Sequence, residues 1–188
     1  GTEPNSFLAG DAANHIPTTK NATVLCLAEG EGRNAVWLAS KGLSVTGVDL
    51  SATGLAKANA LAKEHGLEIT TIVADLATYG LGEAQWDAIV SIFCHLPPAI
   101  RAAVHRKAVV ALKPGGRFIL EAYRPAQLEH KTGGPPGAEM MMTLEMLRTE
   151  LAGLEVDIGV ETVREVVEGK YHTGTGAVVQ FVAHKAPS

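Results

Sequence analysis

Cysteine is scarce in this 188-residue chain: Cys26 and Cys94 are the whole complement. Both sit in apolar strand-like stretches, and neither belongs to a disulfide framework or a zinc spacing, so a reducing cytoplasm is the expected setting. Positive charge is not in excess either. With 16 Lys and Arg against 20 Asp and Glu, the formal net charge is −4, which supplies no basic footprint for nucleic acid or for an anionic membrane surface. No apolar run approaches the ~20 residues that span a bilayer, and no signal peptide opens the chain. There is no internal repeat or low-complexity tract, no visible carboxylate dyad and no nucleophile triad. Met140, Met141, Met142 and Met146 have no Cys or His beside them, so they read as adaptable packing and no metal site is expected. These absences leave a small molecule as the expected partner, with no nucleic acid and no membrane, and say nothing of oligomeric state.

At this length, and with 46% hydrophobic residues, the chain is long enough for one substantial core and too short for two ordinary domains. Residues 1–188 are therefore taken as one domain, and the abrupt opening Gly1-Thr2-Glu3-Pro4 leads us to expect an upstream segment. The stretch that organises the rest runs from Val24 to Asn34. Val24-Leu25-Cys26-Leu27 is an apolar run, Ala28-Glu29-Gly30-Glu31-Gly32 a glycine-rich turn, and the residues after Arg33-Asn34 have helical apolar spacing. Gly30 and Gly32 allow a sharp turn and a close ligand approach, and the first N–H groups of the helix face whatever sits above. The pattern Gly30-x-Gly32-x-x-Ala35 is by itself a loose dinucleotide signature. Glu29 and Glu31, however, add like-charge repulsion where a pyrophosphate would rest. A cationic ligand avoids that cost, and S-adenosylmethionine, with its sulfonium and ammonium, suits the turn better than NAD.

Taken in order, residues 5–15 suggest a short helix ended by Pro17, and the helix after strand one closes at Gly42. A second strand, Leu43 to Asp49, finishes in an acid; a helix from Ala52 to His65 follows, with Ser51 as its cap. A third strand, Glu68 to Ala74, is followed by Asp75. Trp86 to Phe93 is apolar throughout, as a central parallel strand is. The Pro97-Pro98 pair opens a helix to about Ala111 whose apolar stripe is Ile100, Val104, Ala108 and Leu112. Lys113-Pro114-Gly115-Gly116 then breaks the chain before a fifth strand, Arg117 to Tyr123. Residues 124–138 read as a long loop, Met140 to Leu151 as a last helix, and 154–167 with 176–185 as an antiparallel hairpin. Polar residues after strands one, two and three thus share the C-terminal edge of an open α/β sheet, where ligands bind.

Five alternating β/α units and a terminal hairpin, carrying Leu27 to Asn34, Val48-Asp49, Ala74-Asp75-Leu76 and Leu112-Lys113-Pro114-Gly115-Gly116, resemble the class I S-adenosylmethionine-dependent methyltransferases. The Gly32-Arg33-Asn34 turn and the overall size are similar to those of the tellurite-resistance (TehB-type) enzymes and their thiopurine-methylating relatives. The resemblance implies a single Rossmann-like, doubly wound α/β sheet, mostly parallel, with a C-terminal antiparallel hairpin. It also implies that the turn at Glu29, Gly30 and Gly32 holds the methionine part of the cofactor, with Asn34 a further cofactor-binding residue. Asp49 would accept from the ribose hydroxyls and Asp75 from the adenine amino group, with Leu50 and Leu76 packing on the adenine. Cys26 departs from the pattern, because these enzymes commonly place an acid in strand one, which leaves Glu29 or backbone carbonyls to anchor the ammonium group.

Blander roles stand beside these. Asp49 could cap the helix at Ser51, Asp75 could be a turn residue, and Arg33 and Asn34 could only position the glycine turn. His95 either caps a loop or faces the transferable methyl. His172 sits where the tellurite-resistance enzymes carry a substrate-side histidine, although Thr173 replaces the arginine expected beside it. Glu121, Tyr123 and Arg124 end strand five as site residues or as ordinary solvated polars, while His15, His65, His105 and His130 are expected at the surface. The function expected is in-line methyl transfer to a small soft nucleophile such as tellurite, selenite, a thiol or a thiopurine, with His95 or His172 accepting a proton or orienting the anion. The alternative is a cofactor-binding protein without turnover. A NAD-dependent oxidoreductase is disfavoured by Glu31, Asp75 and the hairpin.

Overall fold

The computed structural model describes residues 1–169 and 173–188. Seven strands form one sheet: β1 (Thr23–Leu27), β2 (Ser44–Asp49), β3 (Thr70–Val73), β4 (Trp86–Ile92), β5 (Leu112–Tyr123), β6 (Leu154–Val167) and β7 (Thr173–Lys185). Their spatial order is β3-β2-β1-β4-β5-β7-β6. β1 pairs in parallel with both β2 and β4, and β4 with β5, while β7 pairs antiparallel with β5 and β6. The helices are α1 (Ser6–Ala9), α2 (Arg33–Ser40), α3 (Ala52–Glu64), α4 (Pro98–Ala111) and α5 (Leu144–Glu150).

The two-residue period of a strand sends alternate side chains of β1 to opposite faces. Val24 and Cys26 pack with Phe7 and Leu8 of α1, and with Ala35 and Leu38 of α2. Leu25 and Leu27 join Val104 and Ala108 of α4, and Leu147 on α5. The sheet is therefore covered on both sides, and strand order reverses between β1 and β4. In an open α/β sheet the crevice at the C-terminal ends of those two strands is the ligand position.

Several boundaries differ from the sequence expectation for physical reasons. The N-terminal helix divides into α1 and a 3-10 turn at Ala13–His15. α5 starts only after Thr143, whose hydroxyl accepts from Met146 N, because Met141 and Met142 run extended and buried, with Met142 N donating to Tyr123 O at 3.0 Å. β5 begins at Leu112, since Lys113 to Gly116 lie within the strand, with Gly115 at a φ of 77°. His105 corrects a surface assignment: it is buried on α4 and its Nδ1 lies 2.6 Å from Glu150 Oε2 on α5. Arg101, one turn earlier, places Nε 3.1 Å from both oxygens of Glu150 and donates from its guanidinium to Glu139 O at 3.1 Å. α4, α5 and the segment between β5 and α5 are clamped together there.

Candidate cofactor site

β1 leads into Ala28, whose φ of 49° is unusual for a residue with a side chain, and β4 into Phe93 at 50°. Both line a cavity of about 470 Å³, and backbone strain of this kind gathers where a site demands a particular turn. Around it stand Leu27, Glu29, Gly30, Glu31, Arg33 and Asn34 on one side, with Glu168 and Gly169 of the β6–β7 connection on the other. Glu29, Gly30 and Asn34, three of the expected cofactor contacts, are thus brought together.

Glu29 enters from the turn and is buried. Its Oε1 accepts from Ala35 N at 2.9 Å, satisfying one of the N–H groups that a helix start leaves unpaired. Burial pushes its carboxyl up to about 7, against the pull of that bond, of the Cys26 thiol and of the Arg33 charge. Cys26, buried with its own thiol pushed well up by desolvation, therefore acts beside Glu29 as a neutral hydrogen-bond partner. Glu31 is exposed and pairs with Lys57 at 2.7 Å.

Asp49 ties two βα junctions together. Its Oδ2 accepts from Gly30 N at 2.9 Å and its Oδ1 from Ser51 N at 2.8 Å, so the carboxylate is held at the sheet edge with lone pairs left for a diol. Leu50 beside it is 69% exposed, an apolar surface suited to a flat ring. The next edge is close, since Ala74 N donates to Asp49 O at 3.0 Å. Asp75 is exposed and its Oδ1 accepts from Ala77 N at 2.8 Å. Leu76 is buried in the main core, where it supports this edge. Gly32 does not line the cavity; at a φ of 93° its ideal Cβ would lie 2.5 Å from Ala58 Cβ, so it permits the close approach of α2 and α3. Asn34 is half committed elsewhere, since its Oδ1 accepts from Asn5 N at 2.8 Å.

His95 is half-buried, stacked on Tyr123 at a centroid distance of 5.7 Å, and its Nε2 accepts from Tyr123 N at 3.0 Å. His172 lies outside the described residues. Glu121 is no solvated strand end: it is fully buried, ion-paired with Arg164, and accepts from Gln180 Nε2 at 2.6 Å. That buried cluster, and the clamp at Arg101, went unread in the sequence. The clamp had a signal, because Arg101 and His105 fall on the same helical stripe as Val104 and Ala108.

The donor set fits S-adenosylmethionine: an acid and a guanidinium in one cavity for an amino-acid head group, and a fixed carboxylate beside exposed apolar surface for the adenosyl part. Among the described residues no group of three or more His, Cys, Asp or Glu is placed to hold a metal ion, and no helix is long and apolar enough to cross a membrane.

Residues 24–116 match the family model described as a methyltransferase domain. A curated relative, 2-heptyl-1-hydroxyquinolin-4(1H)-one methyltransferase of Mycobacteroides abscessus, is 28% identical over 109 residues, covering 56% of this chain. The chain spans about half the length of that relative, 48% of it being matched. Among solved structures, TehB from Haemophilus influenzae is similar with a TM-score of 0.76 and 21% identity, over 94% of this chain and 62% of its own. A structure described by the conversion of a disulfide bond into a thioacetal group during echinomycin biosynthesis is similar with a TM-score of 0.77 and 21% identity, over 98% and 82% respectively. At these identities the structural likeness concerns the fold.

Proposed function

We propose that this chain, whose residues 24–116 match a methyltransferase domain, is a class I S-adenosylmethionine-dependent methyltransferase that transfers a methyl group to a small soft nucleophile of the tellurite, selenite, thiol or thiopurine kind. The observation that carries the cofactor half is Asp49, fixed by Gly30 N and Ser51 N beside the Glu29–Arg33 cavity. S-adenosylmethionine, when bound, supplies an electrophilic methyl group on a ready leaving group. The residues therefore need only bind, orient and exclude water.

Asp49 would accept from the ribose hydroxyls and Asp75 from the adenine amino group, Leu50 would support the ring with Leu76 packed beneath that edge, and Glu29, Gly30 and Asn34 would shape the methionine end, with Gly32 acting indirectly by letting α2 approach α3. His95 stands at the end of β4, and because Nε2 is engaged by Tyr123 N, a proton-accepting role at that nitrogen is disfavoured. His172 is kept as the second candidate for proton handling. Cys26 in place of a strand-one acid supports one further reading, a cofactor-binding chain without turnover.

Calorimetry with S-adenosylhomocysteine and with NAD tests the first half, and heat with NAD alone would sink it. Transfer of a labelled methyl group onto tellurite, selenite, thiols, thiopurines and, given the relative's name, a hydroxyquinolone tests the second. Binding without any labelled product would favour the non-enzyme.

A further inference from the structure

Arg33, first residue of α2, faces the cavity four positions after Glu29 and is ion-paired with Glu168 on the opposite wall. The Glu168 side chain is only 3% exposed and that of Arg33 18%. Behind this pair, Glu121 is bound by Arg164, and Asn5 Nδ2 reaches both Glu121 Oε1 at 2.9 Å and Glu168 Oε1 at 2.7 Å. Arg164 also stands 3.6 Å from Glu168 Oε1. Two guanidinium groups thus balance two carboxylates, and the members are not equivalent. Glu168 Oε1 has Asn5 and Arg164 whether or not Arg33 is there, whereas Glu168 Oε2 makes no hydrogen bond beyond its contact with Arg33. The Arg33–Glu168 contact is the one at the cavity wall; opening it costs Glu168 Oε2 its partner but leaves Oε1 held by Asn5, with Arg164 nearby.

We propose that Arg33 recognises the α-carboxylate of the cofactor's methionine arm, and that Glu168 occupies Arg33 in the ligand-free chain as an internal stand-in for that carboxylate. The proposal rests on the cofactor reading above. The Glu29 carboxyl and the Arg33 guanidinium line one cavity, an acceptor beside a cation, which complements an amino-acid head better than a pyrophosphate, since the latter would meet the Glu29 carboxyl. The planar fork of arginine suits a carboxylate from either source, so the exchange keeps Arg33 paired with one carboxylate before and after the ligand enters. Entry of the ligand would then release the turn at Glu168–Gly169 from the glycine turn, so that affinity reflects the difference between two competing partners.

Calorimetry on the full chain tests this with two probes, S-adenosylhomocysteine and 5′-methylthioadenosine, which share the adenosyl thioether but differ in the amino-acid arm. Glu168→Gln keeps the side-chain shape and should tighten S-adenosylhomocysteine about fivefold or more while leaving 5′-methylthioadenosine unchanged. Arg33→Met should weaken S-adenosylhomocysteine about tenfold to a hundredfold, again with no effect on the shorter probe. Equal losses on both probes would assign Arg33 a merely structural role and overturn the proposal, as would Glu168→Gln affinities like those of the parent for both. Should the parent chain bind the two probes equally, the cofactor reading stands and the exchange fails; should it bind neither, the cofactor reading itself fails.

Discussion

Glu29 Oε1 closes the first turn of α2 while its carboxyl sits near 7, raised chiefly by burial. Relative to an unfolded value of 4.5, the folded chain holds that proton more tightly. The group's contribution to stability is therefore complete below the unfolded value and is lost as pH rises through about 7, a swing of about 3 kcal/mol. Glutamine keeps the acceptor for Ala35 N without the charge, so Glu29→Gln should leave urea stability unchanged at pH 4 and raise it by up to about 3 kcal/mol at pH 8. A lower stability at pH 8 would show that the α2 amides and Arg33 already compensate the charge. Asp49 differs, because both its oxygens accept backbone N–H groups. Asp49→Asn turns one acceptor into a donor facing a donor, and should cost about 1–2 kcal/mol in chemical denaturation as well as cofactor binding, whereas an asparagine tolerated on both counts would mean that the two turns hold themselves. The acid after strand two was legible in the sequence, but its two backbone partners depend on how β1 and β2 align.

Between elements, α4 meets α5 through Glu150. Burial alone would raise the Glu150 carboxyl, yet hydrogen bonds from His105 and Arg101 and their charges bring it down to about 2. Because the folded value is depressed, this group contributes stability above the unfolded 4.5 that is lost as pH falls through about 2. Glu150→Gln should therefore lose about 3 kcal/mol at pH 7 and approach the parent's stability near pH 2, measured by thermal unfolding across that window. A loss that persists at pH 2 would trace to packing instead. Helix and strand positions were readable from apolar period and caps: α3 starts after Ser51 and β6 spans 154–167 as expected. The α5 start was not, since whether Met141 and Met142 extend a helix or pack against Tyr123 is settled by tertiary contact, to which a local pattern is blind. The Glu121–Arg164 pair escaped for the same reason: strand alternation gives a face, and only α1 seated on that face makes it a buried one.

Across the whole molecule, the turns after β1, β2 and β3 meet at one edge although they are separated by some twenty residues of chain each. Hydrogen exchange read by mass spectrometry should show S-adenosylhomocysteine slowing segments 29–34, 49–52 and 75–77 together, while the opposite edge, around Ser44 and Arg117, is unaffected. Protection confined to one of the three would break the common site. β7 lies between β5 and β6 although it follows both in the chain. During synthesis the fourteen residues of β6 are thus made before the neighbour they must pair with, and the flank of β5 stays bare in the interval. A ribosome that pauses after residue 167 leaves an open ladder of amides and carbonyls on display, the kind of surface that recruits another chain.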